Sequence, residues 1–205
     1  VKRTSPAFPR NREPILEVLR RVLPPAGTVL EVGAGPGEHA RWLAASLPGL
    51  AWLATDRDPE ALASIEAWRA DGPPNLLPPL QLDLTAPPPP LPPIDAVVAI
   101  NVLHAAPWDA TLGLLALAAD HLPPGGPLVV YGAWREGGAA EPSNLAFDAD
   151  LRARNPAWGI RDVEAVIAAA MDTGFTWEET ARVPANNRIL VLRRASDTGL
   201  PAHRR

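Results

Sequence analysis

Residues 29–40 read Val-Leu-Glu-Val-Gly-Ala-Gly-Pro-Gly-Glu-His-Ala, a short apolar strand, three glycines at alternate positions, and the start of a helix. Glycines so spaced give the chain access to positive φ and keep side chains out of a space where backbone must approach a ligand. Glu31 stands just before Gly33, Gly35 and Gly37. Strand, glycine turn and helix in this order form the nucleoside-binding corner of a parallel sheet. The whole chain is thereby constrained toward alternating strands and helices.

The flanking segments follow that alternation. Apolar residues at helical spacing over residues 14–23, with Pro14 in a first turn and Pro24-Pro25 as a stop, predict a helix ahead of the sheet. Strands are expected at 28–32, 50–55, 80–84, 95–100 and 127–131, and helices at 38–47, 58–68 and 108–122. Asp58 reads as the N-cap of the helix at 58–68. Val163, Val166, Ile167, Ala170 and Met171 mark an amphipathic helix ended by Gly174. The strands 176–182 and 189–193 follow, joined by 183–187. No helical segment comes after the last strand to serve as a crossover, so the final pair reads as an antiparallel hairpin. The expected fold is an α/β sandwich on a mostly parallel, seven-stranded sheet with an antiparallel last strand. It forms one domain over residues 1–195, with residues 196–205 a frayed tail.

In such a sheet the ligand lies beyond the carboxyl ends of the strands. Glu31 closes the first strand and can accept a hydrogen bond from a cationic amine. Asp56 ends the second, 23 positions after Gly33, where its oxygens match the two hydroxyls of a ribose. Asp83, with Leu84 after it, ends the third and can accept from an exocyclic adenine amine. Asn101 ends the fourth, beside the reactive centre. Each residue alone is as easily a cap or a turn former. Their order at successive strand ends points to S-adenosylmethionine. A dinucleotide competes, since residues 35–40 match G-x-G-x-x-[G/A]. That register leaves Gly33 unexplained, and the register starting at Gly33 places Glu38 near a pyrophosphate.

Methyl transfer needs a nucleophile held in line with an activated sulfonium, and a base only if the nucleophile arrives protonated. His104 and Trp108, in the stretch 101–108 after the fourth strand, are expected on the substrate side, His104 as the candidate base. A histidine that merely walls the pocket is the simpler reading. Tyr131 at the fifth strand end joins the pocket. The Pro-Tyr pair that clamps amide or base substrates is missing, because Val102-Leu103 follows Asn101. Small molecules are therefore the expected acceptors. No His/Asp/Glu cluster has metal-ligand spacing.

Composition narrows the rest. A chain of 205 residues with 47 % hydrophobic residues suits one core, and a net charge of -4 supplies no field for nucleic acid. Cysteine is absent, no apolar run is long enough to span a bilayer, and the start Val1-Lys-Arg-Thr-Ser-Pro lacks the core of a signal peptide. A soluble cytoplasmic protein is expected, with a small-molecule partner, no nucleic acid and no membrane; nothing in the sequence sets its oligomeric state. The proline run 87–93 reads as a stiff surface connection rather than a polyproline ligand.

Ser5-Pro-Ala7, Arg10-Asn11, Pro14-Ile15-Leu16, His39-Ala40, Asn101 to Trp108, Tyr131-Gly132, Ser143-Asn144, Phe147-Asp148, Trp158 to Asp162 and Pro184 to Asn187 together resemble the methyltransferase-like family called domain of unknown function 938. The resemblance spans nearly the whole chain. It implies a class I methyltransferase fold and adenosylmethionine binding, with no established substrate. The sequence departs from it at Gly33, Ala34 and Pro36 and at Ala133-Trp134. Within these blocks Ser5, Arg10 and Asn11 crowd ahead of the first helix as a lid. Asn144, Arg161, Asn186 and Asn187 read as loop donors, the neutral amides suited to a neutral polar substrate or to the cofactor's carboxylate, or else as residues that pin their own loops.

Overall fold

The computed structural model describes residues 1–196; the tail expected to fray lies, from residue 197 on, outside the described residues. In chain order the elements are α1 (Phe8–Val22), β1 (Gly27–Val32), α2 (Glu38–Ser46), β2 (Leu50–Asp56), α3 (Pro59–Arg69), β3 (Leu80–Gln81), β4 (Ala96–Ile100) and a 3-10 turn (Leu103–Ala105). There follow α4 (Trp108–His121), β5 (Pro127–Arg135), α5 (Pro142–Arg154), β6 (Arg161–Asp162), α6 (Val163–Asp172), β7 (Phe175–Val183) and β8 (Asn187–Arg194).

The sheet order is β3-β2-β1-β4-β5-β8-β7, with β6 paired off this path to the far end of β5. β1 to β5 run parallel, and β8 lies antiparallel between β5 and β7. This is the mostly parallel sheet with a reversed last strand that the sequence led us to expect. Side chains of the central strands alternate between two cores. Val98, Ile100, Val129, Tyr131, Ile189 and Val191 pack toward α1, α2 and α3. Val97, Ala99, Leu128, Val130, Leu190 and Leu192 pack toward α4 and α6. A strand covered on both faces has no polar side to show, which explains the near-continuous apolar runs of β4 and β5. Among the described residues no helix is long and apolar enough to cross a membrane.

Four elements differ from expectation, each for an identifiable reason. α1 starts at Phe8, six residues before Pro14. Pro9 supplies the proline of the first turn and Pro14 is inside the helix. Arg10 and Asn11 therefore stand on α1 itself rather than ahead of it. β3 stops at Gln81 because β2, its partner, ends at Asp56. Asp83 then bends back to accept from Thr85 N (2.8 Å) and Thr85 Oγ1 (2.7 Å) instead of extending the strand. β5 runs on to Arg135, held by β8 as far as Ala133 and by β6 at Trp134 and Arg135.

α5 lies where loop was expected. Its buried stripe is Asn144, Asp148 and Leu151, so the helical period is carried mainly by polar residues. Asp148 is held there by Arg135 (2.8 Å), Arg152 (3.0 Å) and Ile160 N (2.9 Å). These partners keep its carboxyl below the usual range, against burial, which pushes the other way. Asn144 thus belongs to a helix and Arg161 to a short strand, and neither is a loop donor. Met171 of α6 is exposed rather than core-facing. The proline run is mostly exposed between β3 and β4, as a surface connection.

Candidate active site

The order β2-β1-β4 reverses direction between β1 and β4, and a cavity of about 180 Å³ opens beyond those strand ends. Gly33, Asp56, Asp83, Leu84 and Asn101 all line it. The stretch 101–108 contributes Val102, Ala105, Ala106 and Pro107 to the wall, and Arg57, Leu82, Thr85 and Ala110, which the sequence did not single out, complete it. Their proximity to Asp56, Asp83 and Asn101 in the chain is the signal that could have found them.

The glycine turn is shaped by different constraints at each glycine. All three have positive φ, at 59°, 55° and 85°. A Cβ on Gly33 would meet Val102 Cγ2 at 2.8 Å, and one on Gly37 would meet Ile65 Cα at 2.9 Å. A Cβ on Gly35 would meet nothing within 4 Å. Gly33 and Gly37 are thus required by protein packing, whereas Gly35 leaves its side open to space. That open side, flanked by acceptors, is the cradle expected where backbone must receive a ligand.

Asp56 organises the turn. Its Oδ2 accepts from Gly35 N (2.8 Å) and its Oδ1 from Asp58 N (2.9 Å), leaving lone pairs for two hydroxyls. Asp83 Oδ1 takes both Thr85 donors. These bonds hold its carboxyl below the ordinary range, so it stands ionised as an acceptor. Asn101 has φ 56°, a left-handed conformation that asparagine tolerates better than most residues, with its N–H on Tyr131 O (3.0 Å). These groups fit a nucleoside: acceptors for a ribose diol and an exocyclic amine, with an apolar wall between.

Glu31 is almost fully buried and lines neither this cavity nor the next. Its Oε2 accepts from Trp52 Nε1 at 2.7 Å, while burial, reinforced by the charge of Asp56, pushes its carboxyl up to about 7.

A second cavity, of about 340 Å³, adjoins at Asn101. Arg10 and Asn11 from α1, Tyr131 from β5 and Asn187 from β8 line it, together with Ala7, Pro14, Val183, Pro184 and Ala185. The structure thus brings Arg10, Asn11, Tyr131 and Asn187 to one wall. Asn11 Oδ1 lies 2.7 Å from His39 Nε2, and burial lowers His39 to about 4. A neutral imidazole then donates from Nε2. Burial pushes the Tyr131 hydroxyl above its ordinary value.

Four residues expected on the substrate side, Asn144, Asn186, Trp108 and His104, stand elsewhere. Asn144 donates to Asn186 O (3.0 Å), and both line a separate cavity of about 210 Å³ with Glu136 and Arg188. Trp108 lines neither of the two cavities that meet at Asn101; the Arg161 guanidinium lies 5.9 Å from its ring centre.

His104 is buried with its ring edge-on to Phe147 (centroids 5.1 Å apart), beside Gly132, where it lines a void of about 10 Å³. The 3-10 turn that follows Asn101 winds it behind the wall instead of into the cavity. Burial, and then the charges of Arg161 and Arg154, lower it to about 4. Its carbonyl accepts from Gly159 N (2.9 Å), so it ties the turn to the segment after α5. Its ring lines neither of the two cavities.

The reversed strand β8, the glycine turn at the sheet's switch point and the acceptors at successive strand ends define a Rossmann-like class I methyltransferase architecture. Human N-acetylserotonin methyltransferase, solved in complex with SAM, shares 16 % identity at a TM-score of 0.77, over 93 % of this chain and 53 % of that one. The methyltransferase SibL, in its apo form, shares 22 % at 0.74, over 92 % and 56 %. Magnesium protoporphyrin IX methyltransferase from Synechocystis PCC 6803, with bound SAH, shares 17 % at 0.67, over 91 % and 83 %. The chain spans about half the length of the first two. It belongs to the protein family of unknown function designated DUF938, whose model matches residues 2–194.

Proposed function

We propose that this chain is an S-adenosylmethionine-dependent methyltransferase acting on a small molecule. The observation that carries the reading is the cavity lined by Gly33, Asp56, Asp83 and Asn101, with the open side of Gly35, whose N–H is held by Asp56, at the same turn. Gly33, Asp56, Asp83, Leu84 and Asn101, with the open side of Gly35 beside them, would hold the nucleoside; Gly37 is packed against Ile65, and Glu31, bonded to Trp52 beneath the turn, reaches neither cavity and so is not the expected partner of a cofactor amine. When bound, the cofactor supplies a methyl group activated on a sulfonium. The chain's own task is then to orient an acceptor in the adjoining cavity, in line with that methyl group. Asn101, common to both cavities, marks where they meet. Structural relatives solved with SAM or SAH bound support the same cofactor.

A dinucleotide would place its pyrophosphate at the α2 N-terminus. There Glu38 stands in the first turn and its carboxylate accepts from Ser5 N (2.9 Å), so the N-terminal segment and an acidic group occupy that position. The second reading is a binding protein without turnover. It is favoured by the second cavity's wall, which holds no histidine, carboxylate or lysine. Release of S-adenosylhomocysteine across a panel of small acceptors separates the two. Turnover above the rate without acceptor supports the enzyme; tight cofactor binding with no turnover on any acceptor supports the silent protein.

A further inference from the structure

We infer that the cavity between α1 and the β7–β8 turn is a carboxylate site, and that the methyl acceptor is a small carboxylic acid methylated on oxygen to its ester. The inference rests on the methyltransferase reading above and adds the substrate class to it.

Among the described residues neither Arg10 nor Asn11 on the wall meets a carboxylate: Arg10 is exposed, and the Asn11 amide acts only on the Tyr131 hydroxyl beside it, without a hydrogen bond of good geometry. Asn11 is 5 % exposed, its Oδ1 is engaged with His39, and its Nδ2 is buried. A buried donor so poorly paired is costly, and a ligand acceptor would relieve it. The remaining lining contributes no negative charge, since Asn101, Tyr131 and Asn187 are neutral and the other residues are apolar. A cation or a buried neutral amine finds no partner there. An anion finds a guanidinium and an amide N–H on adjacent residues.

The same wall says how the acceptor must arrive. A phenol, an alcohol or a protonated amine needs a group to take its proton, and the wall has none. His104 is shut behind it, His39 donates to Asn11, and Tyr131 is a weaker acid than usual. A carboxylate needs no base. Its oxygen supplies the electron pair of the new C–O bond, the methyl–sulfur bond breaks with its pair left on sulfur, and anion and sulfonium become neutral ester and thioether. No proton is gained or lost.

The amino-acid end of the cofactor also carries a carboxylate, so the test must tell the two sources apart. The full chain saturated with S-adenosylhomocysteine is titrated calorimetrically with benzoate and phenylacetate, and with benzamide and phenylacetamide as neutral isosteres. At least tenfold preference for the acids is expected, falling below twofold in Arg10→Gln, while affinity for S-adenosylhomocysteine changes less than twofold. With methyl-labelled cofactor, the product releases methanol in mild alkali, as an ester does and a methyl ether or methylamine does not. Acids and amides binding alike, or neither binding, overturns the inference. It is also overturned if Arg10→Gln weakens S-adenosylhomocysteine but not 5′-methylthioadenosine, which lacks the amino-acid end. A wild-type chain that binds no S-adenosylhomocysteine at all fails at the earlier step and sinks the methyltransferase reading itself.

Discussion

Glu31 sits beneath the glycine turn with one indole N–H for company, and its protonation should be readable in the stability of the protein. The ordinary carboxyl value is 4.5 and the folded value is about 7, raised chiefly by burial. A carboxyl raised on folding binds its proton in the native state where the unfolded chain has lost it. Its contribution is complete below pH 4.5 and is lost as pH rises through 7. At 1.36 kcal/mol per pH unit, the full loss is about 3 kcal/mol, and about 2.5 kcal/mol of it falls between pH 5 and pH 8.5. Glu31→Gln keeps an oxygen for Trp52 Nε1 but cannot titrate. Urea unfolding of the ligand-free wild type and Glu31→Gln across that range isolates the group, because every other titration is common to both proteins. The stability of wild type relative to the variant should fall by about 2.5 kcal/mol toward high pH. A difference flat to within about 0.5 kcal/mol, or one that grows with pH, refutes a proton on Glu31.

Other expectations follow from neighbouring features. Gly35→Ala should cost only about 1 kcal/mol, the price of a left-handed φ at alanine, yet weaken S-adenosylhomocysteine at least tenfold in calorimetry. Gly37→Ala should cost more in thermal stability, because its Cβ meets Ile65 Cα at 2.9 Å; equal losses for the two would contradict the assignment. Gly113 of α4 lies so close to Leu84 that a Cβ would stand 1.7 Å from its carbonyl oxygen. Gly113→Ala should lose about 3 kcal/mol of stability and displace the Asp83–Leu84 wall, seen as weaker cofactor binding. His39 and His104, both lowered to about 4 from 6.5, contribute stability above pH 6.5 that is lost as pH falls toward 4. Their imidazole resonances should show no midpoint between pH 5.5 and 8; one near 6.5 at either ring refutes its burial as a neutral group.

Much of this was legible in the sequence, and the limits are physical. β4 and β5 announce themselves because a strand covered on both faces is apolar throughout. The reversed β8 follows from the lack of a crossover segment, and Asp56, Asp83 and Asn101 from the rule that ligands gather at strand ends. α5 was hidden because its buried stripe is Asn144 and Asp148, held by ion pairs and hydrogen bonds that no hydrophobic period records. α1 was read short because Pro14 resembles a helix start, when Pro9 already fills that place. His104 sits at the right distance along the chain from Asn101, but a single 3-10 turn rotates it out of the cavity. Side-chain direction after a strand end depends on that local winding, which residue type alone does not specify. Asn144 and Asn186 were grouped with Asn187 as loop amides, but Asn144 stands on α5 and bonds the Asn186 carbonyl in the β7–β8 turn, so both line a different cavity.

The central claim, that the glycine turn and the acidic strand ends hold adenosylmethionine, is tested most directly by calorimetric titration of the ligand-free chain with S-adenosylhomocysteine and, separately, with NAD. Saturable one-to-one binding of S-adenosylhomocysteine, weakened at least tenfold in Asp56→Ala, with no heat from NAD, is the expected result. Binding of NAD with none of S-adenosylhomocysteine would contradict it.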